Sequence, residues 1–270
     1  MSSPRRGPGL QGASAGAMEM SETQETFLSH LIELRDRLIK CLLVIGVAFA
    51  PAFFFSADLY DLLARPVIAS LPQGSKMIAT GVITPFLIPM KIALMAAFLT
   101  VLPFVLYQIW AFVAPGLYAH EKRLVLPLIV SSTVLFFVGM AFCYFFVFGA
   151  VFEFINRWAP KSISVAPDIE AYFNFVIGMF LAFGIAFEIP VVVVVLVITG
   201  LVSTEQLREW RGYVIVGIFV VAAVITPPDV VSQLALAIPM CILYEAGILV
   251  AQFATRGRKA EAAVGEASRE

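Results

Sequence analysis

Apolar stretches of about 17 or more residues, nearly free of charge, recur along most of this chain and leave it few ways to fold. An α-helix rises about 1.5 Å per residue, so a stretch of that length matches a hydrocarbon core about 30 Å thick. In lipid each stretch must satisfy its own backbone hydrogen bonds, and that selects helices. The composition agrees: 60% of the 270 residues are hydrophobic and 14% are charged, against about 25% charged in a soluble domain. An all-α integral membrane protein is the expected fold class.

The pattern predicts six transmembrane helices, at about 38–56, 85–113, 122–150, 171–200, 212–226 and 234–253. A fifth span of roughly 15 residues reaches only about 22 Å, which calls for a thinned bilayer or shielding by its neighbours. The spans sit within residues 27–254. Residues 1–26 form a Gly-rich, Pro-containing tail expected to be disordered, and the polar tail 255–270 is expected to be unstructured. Phe27, Leu31, Leu34 and Leu38 recur at helical spacing ahead of the first span, which predicts an amphipathic helix on the membrane surface.

Lys and Arg fix the expected orientation. Thirteen (Arg5, Arg6, Arg35, Arg37, Lys40, Lys122, Arg123, Arg208, Arg211, Arg256, Arg258, Lys259 and Arg269) fall on one side of the six spans, and four (Arg65, Lys76, Arg157 and Lys161) on the other. The positive-inside rule then places both termini in the cytoplasm. Lys91 lies in the second span near its outer end, within snorkelling reach of the interface. Arg5 and Arg6 are followed by "GPGLQGASAGA", so no export signal is expected there. The net charge of −1 gives no nucleic-acid footprint, and three isolated cysteines without CxxC spacing read as packing residues. No cofactor or metal is expected, because His30 and His120 are far apart and have no spaced carboxylates.

One acid stands out. In "FGIAFEIPVVVV" Glu188 sits near mid-span, where a carboxylate costs about 2.5–3.5 kcal/mol on insertion scales. It must be protonated, paired, or open to a wet cavity. Pro190 cannot donate to the carbonyl of Ala186, so the helix is interrupted beside the acid. A neutral Glu hydrogen-bonded inside the bundle and a concave polar pocket both satisfy these constraints. Asp229 in "TPPDVVSQ" reads as an N-cap after a rigid proline turn. Pro66 lies in the outer connection "ARPVIASLPQGSK", an ordered-looking segment that is structural or functional. Glu245 lies deep in the last span, as a packing acid near Tyr244 or a polar contact for a partner.

Four segments in order, "SHLIELRDRL" (29–38), "LPFVLYQIWAFVAPGLYAHEKR" (102–123), "FEIPV" (187–191) and "ITPPDVVSQLALAIPMCILYEAGI" (225–248), resemble the TatC family. TatC is the polytopic core subunit of the twin-arginine protein translocase. The resemblance covers about residues 27–254 and implies a curved, cup-like bundle of six helices in the bacterial cytoplasmic membrane. It also implies binding of twin-arginine signal peptides and export of folded proteins driven by the proton-motive force. The implied partners are TatA- and TatB-type single-span subunits, the lipid bilayer and further copies of the chain. One departure stands at Gly81, where family members often carry an acid after the Thr of "ATGVITPF".

On that resemblance Glu33 and Glu121 are the candidates for holding two guanidinium groups, since paired carboxylates accept the bidentate fork of arginine. The local alternative is that Glu33 pairs with Arg37 four residues on, and Glu121 with a neighbouring Arg. Phe112 and Tyr118 flank the same turn, as interfacial aromatics or as packing for the peptide. Arg35 orients the glutamates or binds lipid phosphate. The resemblance makes Glu188, with Pro190, a pocket for a polar residue of a single-span partner helix, and gives Gln233 a partner-docking role. The competing class, a proton-coupled small-solute transporter, would use Glu188 and Lys91, but it predicts internal repeats that this chain does not show. No motif of an intramembrane hydrolase is present, and an enzyme is not expected.

Overall fold

The computed structural model describes residues 9–70, 77–113, 122–158, 166–226 and 229–267. The helices are α1 (Gly9–Phe54), α2 (Ser56–Ser70), α3 (Thr84–Thr100), α4 (Leu102–Val113), α5 (Lys122–Phe142) and α6 (Phe148–Trp158). They continue with α7 (Ile169–Ala186), α8 (Ile189–Ile198), α9 (Thr204–Glu209), α10 (Arg211–Ile225) and α11 (Val230–Ala267). A π-helical turn, Cys143–Val147, joins α5 to α6. Among the described residues there is no β-strand, and a single parallel bridge links Ile78 to Asp168.

Among the described residues, four helical stretches are long and apolar enough to cross a membrane: Leu28–Phe54, Val125–Phe154, Ile169–Ile198 and Val230–Thr255. The pair α3 and α4 passes the same test together but bends by 62°, and α10 is a shorter apolar helix. The bend has a local cause. Pro103 has no N–H to give the carbonyl of Leu99, so the ladder breaks at Val101 and restarts with Phe104 and Val105 donating to the Val101 carbonyl. By contrast α1 runs through Pro51 to Phe54 as one helix. Helix α1 begins at Gly9 and α11 reaches Ala267, both inside stretches whose composition predicts disorder. Ala, Met, Glu and Gln, all good helix formers, are frequent in those stretches.

The chain divides into two compact units, Met1–Val44 and Ile45–Glu270. In the first, Leu31, Leu34, Leu38 and Leu42 are exposed along the helix. In the second, α7 is central: Phe173, Val176, Met179 and Phe183 are buried and pack with Ile88, Ile92, Phe148 and Leu236. Phe148 contacts the rings of Phe152, Phe175 and Phe180, so aromatic area supplies much of this core.

Helix α2 stands where the sequence suggests an outer connection. Pro66 lies inside it and leaves the carbonyl of Leu62 without its helical donor. The hydroxyl of Tyr144, in the π-turn, donates to that carbonyl at 3.0 Å. The hydroxyl of Tyr172, on α7, donates to the next carbonyl, Leu63, at 2.6 Å. Two tyrosines thus fasten α2 to the core through its main chain, and Pro66 has a structural explanation.

Candidate functional site

Helix α7 ends at Ala186. The amide of Phe187 donates to the Phe183 carbonyl and that of Glu188 to Ile185, each at 3.0 Å, and α8 restarts at Ile189 with Pro190 in its first turn. The interruption expected from Pro190 is present, and Glu188 occupies it. Glu188 is 9% exposed, and neither carboxyl oxygen makes a hydrogen bond. Among the described residues, Ser232 Oγ is the other buried side-chain oxygen in that condition.

Close backbone contacts clamp the break. A Cβ added at Gly247 of α11 would lie 2.8 Å from Pro190 Cα and 3.1 Å from Val193 Cβ. One added at Gly139 of α5 would lie 2.5 Å from the Phe183 carbonyl oxygen. Across from the acid, Ser132 of α5 is fully buried beside the carboxyl. Trp110 Nε1 of α4 donates to Ser132 Oγ at 3.0 Å. Elements α4, α5, α7, α8 and α11 therefore present a rigid, nearly dry acid with acceptor capacity in reserve. An unmet buried polar group of this kind costs about 1–3 kcal/mol, and an incoming donor recovers that cost.

The remaining candidates have local partners. Arg37 donates to Glu33 Oε1 from Nη2 at 2.6 Å and from Nε at 3.0 Å, the i,i+4 pairing named as the local alternative. Arg35 donates to Asp36 Oδ1 at 2.8 Å. Glu245 accepts from Arg211 at 2.6 Å, while Tyr244 donates to the Leu207 carbonyl at 2.7 Å, so α9 and α10 are tied to α11. Gln233 Nε2 donates to the Phe219 carbonyl at 3.3 Å. Asp229 caps α11, accepting from the Ser232 amide at 2.7 Å. Phe112 is half-buried near the end of α4. Glu121 and Tyr118 lie outside the described residues.

A second polar cluster was not foreseen. Lys91 Nζ donates to Asn174 Oδ1 at 2.9 Å and stands 3.6 Å from Glu170 Oε1. Thr84 Oγ1 donates to Glu170 Oε2 at 3.0 Å. A side chain added at Gly81 would meet Thr84 Oγ1 and come within 3.9 Å of Glu170 Oε2, so a carboxylate already occupies the space beside position 81. Asp168 caps α7 through the Ala171 amide at 2.9 Å and accepts from Thr80 Oγ1 at 2.7 Å and Thr80 N at 3.1 Å. The "PDIE" at 167–170 is an N-cap signature and the readable signal; its partners lie some 80 residues upstream.

The Thr80 hydroxyl, then the Ala171 amide, hold the Asp168 carboxyl below its usual range. A depressed carboxylate contributes stability that is present above the unfolded value, about 3.9, and lost as pH falls through the folded value. Hydrogen exchange at the Thr80 amide, corrected for its intrinsic rate, should therefore quicken as pH drops below about 4. Protection that ignores pH in that window would remove Asp168 as its source.

A chain with several membrane-length apolar helices, and no β-strand among the described residues, is a multi-pass membrane protein. Residues 29–239 match the family model of the Sec-independent protein translocase protein (TatC). The chain is 48% identical over 245 residues to the Sec-independent protein translocase protein TatC of Escherichia coli (strain K12), covering 90% of this chain and 95% of that one. It is 45% identical over 236 residues to the TatC of Haemophilus influenzae, covering 87% and 92%. A crystal structure of the twin arginine translocase receptor TatC superposes with a TM-score of 0.74 at 38% identity, covering 84% of this chain and 99% of that one. The chain belongs to the TatC family.

Proposed function

We propose that this chain is the receptor and core subunit of a twin-arginine translocase, a protein-export role rather than solute transport or catalysis. The observation that carries the reading is Glu188, buried at a helix break with both carboxyl oxygens unmet, in a chain of this family. A carboxyl held dry and unpartnered inside a helical bundle suits reception of a polar residue from a single-span helix of a TatA- or TatB-type subunit. The six spans are α1, the bent pair α3–α4, the stretch from α5 into α6, α7 with α8, α10 and α11. They form a cup in the bacterial cytoplasmic membrane with both termini in the cytoplasm.

At that cytoplasmic face Glu33 and Glu121 hold the two arginines of a signal peptide, with Phe112 and Tyr118 packing on it and Arg35 setting local charge. Glu33 exchanges its Arg37 partner for an arginine of the peptide, one guanidinium for another. That exchange loses little, because an exposed i,i+4 pair contributes only about 0.3–0.5 kcal/mol. Gln233 and Glu245 extend the docking surface, and Asp229 and Pro66 shape the outer side.

Membranes carrying Glu33→Ala together with Glu121→Ala should crosslink a twin-arginine precursor at least about tenfold less than the parent, the loss of about 1.4 kcal/mol or more. Crosslinking equal to the parent would overturn the recognition role. Cells lacking the chain should retain twin-arginine precursors in the cytoplasm; a solute-uptake defect without such retention would overturn the export role.

A further inference from the structure

Two of the membrane-length apolar stretches end at one cleft. Ile169–Ile198 stops one residue beyond Val197 and Val230–Thr255 stops at Thr255, and both Val197 and Thr255 line a cleft of about 480 Å³, within the size range of small-molecule sites. A cleft at the ends of two apolar spans lies at the level of lipid headgroups. Leu201, Trp210 and Tyr213 are exposed in the flanking chain, the apolar and aromatic fringe expected at that level.

The sequence builds the cleft with a turn and a short helix. Gly200 ends α8 at a φ of 73°, the left-handed conformation that suits glycine, and the amides of Leu201 and Val202 donate back to the Leu196 carbonyl at 3.1 and 3.3 Å. Ser203 then opens α9 with a capping box: its Oγ accepts from the Gln206 amide at 3.1 Å, and Gln206 Oε1 accepts from the Ser203 amide at 2.9 Å. Leu207 is buried and its carbonyl is held by Tyr244, so α9 is fixed against α11 while Glu205 and Arg208 line the cleft. These two stand three residues apart on α9, the spacing at which opposite charges pair on a helix. Among the described residues no ion pair joins them, and neither Arg208 nor Gln252, which lines the cleft from α11, makes a side-chain hydrogen bond. Arg211 in the next helix is paired, with Glu245 at 2.6 Å. Glu205 accepts from Thr204 on Oε1 at 3.2 Å, a long bond that leaves the carboxylate capacity for a cation.

We infer that the cleft binds a phospholipid headgroup that carries both a phosphate and a primary ammonium, as phosphatidylethanolamine does. Arg208 takes the phosphate through its two-pronged guanidinium, the Gln252 amide donates to another phosphate oxygen, and Glu205 accepts from the ammonium. The charges select this headgroup. An anionic headgroup would meet Arg208 but would set a second negative charge beside the Glu205 carboxylate. A choline headgroup balances both charges but has no N–H to give the carboxylate. Ethanolamine holds its phosphate and its donor ammonium a short carbon linker apart, matching neighbouring opposite charges on one helix. A lipid bound this way ties α9 to the ends of α8 and α11. The inference stands apart from signal-peptide recognition and from docking at Glu188, and its test reads neither.

The test uses the full chain purified in detergent and three lipids with identical acyl chains: phosphatidylethanolamine, phosphatidylcholine and phosphatidylglycerol. Native mass spectrometry counts the lipid retained. The parent should hold phosphatidylethanolamine about tenfold more tightly than either of the others, the effect of one charged hydrogen bond. Glu205→Gln should erase the preference over phosphatidylcholine, and Arg208→Gln should weaken both of those lipids alike. Glu209→Gln, on the same helix but outside the cleft, should bind as the parent does. Glu205 and Arg208 are exposed, so unfolding temperatures without lipid should match the parent's in every variant. Equal retention of the three lipids by the parent, or an unchanged preference in Glu205→Gln, overturns the inference. Glycerophosphoethanolamine, the same headgroup without chains, should compete weakly; competition as strong as that of the lipid overturns the assignment to a lipid.

Discussion

Glu188→Leu is expected to make the purified chain more stable and to abolish export. Leucine has nearly the volume of glutamate and no oxygens, so the substitution removes two buried, unmet acceptors from a tightly packed break. Relief of an unsatisfied buried polar group is worth about 1–3 kcal/mol, and a domain of this kind has only about 5–15 kcal/mol in hand. Thermal unfolding in detergent should therefore shift upward by several degrees. In membranes the same variant should lose crosslinking to the single-span subunits and retain twin-arginine precursors inside. A variant that exports at the parental rate would show Glu188 to be packing. One that loses export because it unfolds would break the expected opposition between stability and activity.

The second large effect is expected at Gly247. Its Cα approaches Pro190 so closely that an added Cβ would lie 2.8 Å from backbone, which no rotamer change relieves. Gly247→Val should cost roughly 1–3 kcal/mol or more by overpacking, seen as a lower unfolding temperature and weaker protection of the amides around Val192. Gly46→Ala is the natural control, because apart from its own helical backbone nothing lies within 4 Å of the added Cβ. There, replacement of a mid-helix glycine should stabilise by about 0.5–1 kcal/mol. Equal behaviour of the two variants would mean that the seam between α8 and α11 is loose.

The sequence makes some of this legible and hides the rest for physical reasons. The apolar stretches and the break at Pro190 are local properties, readable from hydropathy and a missing N–H. The bend at Val101 is also caused by a proline, yet Pro103 lies in a run so uniformly apolar that it reads as part of a single span. Helix α2 reads as an outer connection because "SADLYDLLARPVIAS" carries a proline and mixed polarity, and the tyrosines 82 and 109 residues further on help to explain its order. The cluster of Thr80, Asp168, Glu170 and Lys91 is hidden for the same reason: its members are distant in sequence. Glu33 with Arg37 shows the opposite case, since spacing of four on a helix is visible in the letters themselves.

The fastening of α2 by Tyr144 and Tyr172 has a bearing on how such a chain changes over time. Both hydroxyls grip main-chain oxygens, and a main-chain oxygen is present whatever side chain its residue carries. The exposed positions of α2, such as Leu62 and Ile68, are thereby released from holding the helix in place. Mutation can rewrite that surface for a new lipid or a new neighbour without unmooring it. The burden of inheritance falls on the two phenols, the proline and the buried Leu63, Ala64 and Val67, not on the exposed face they support.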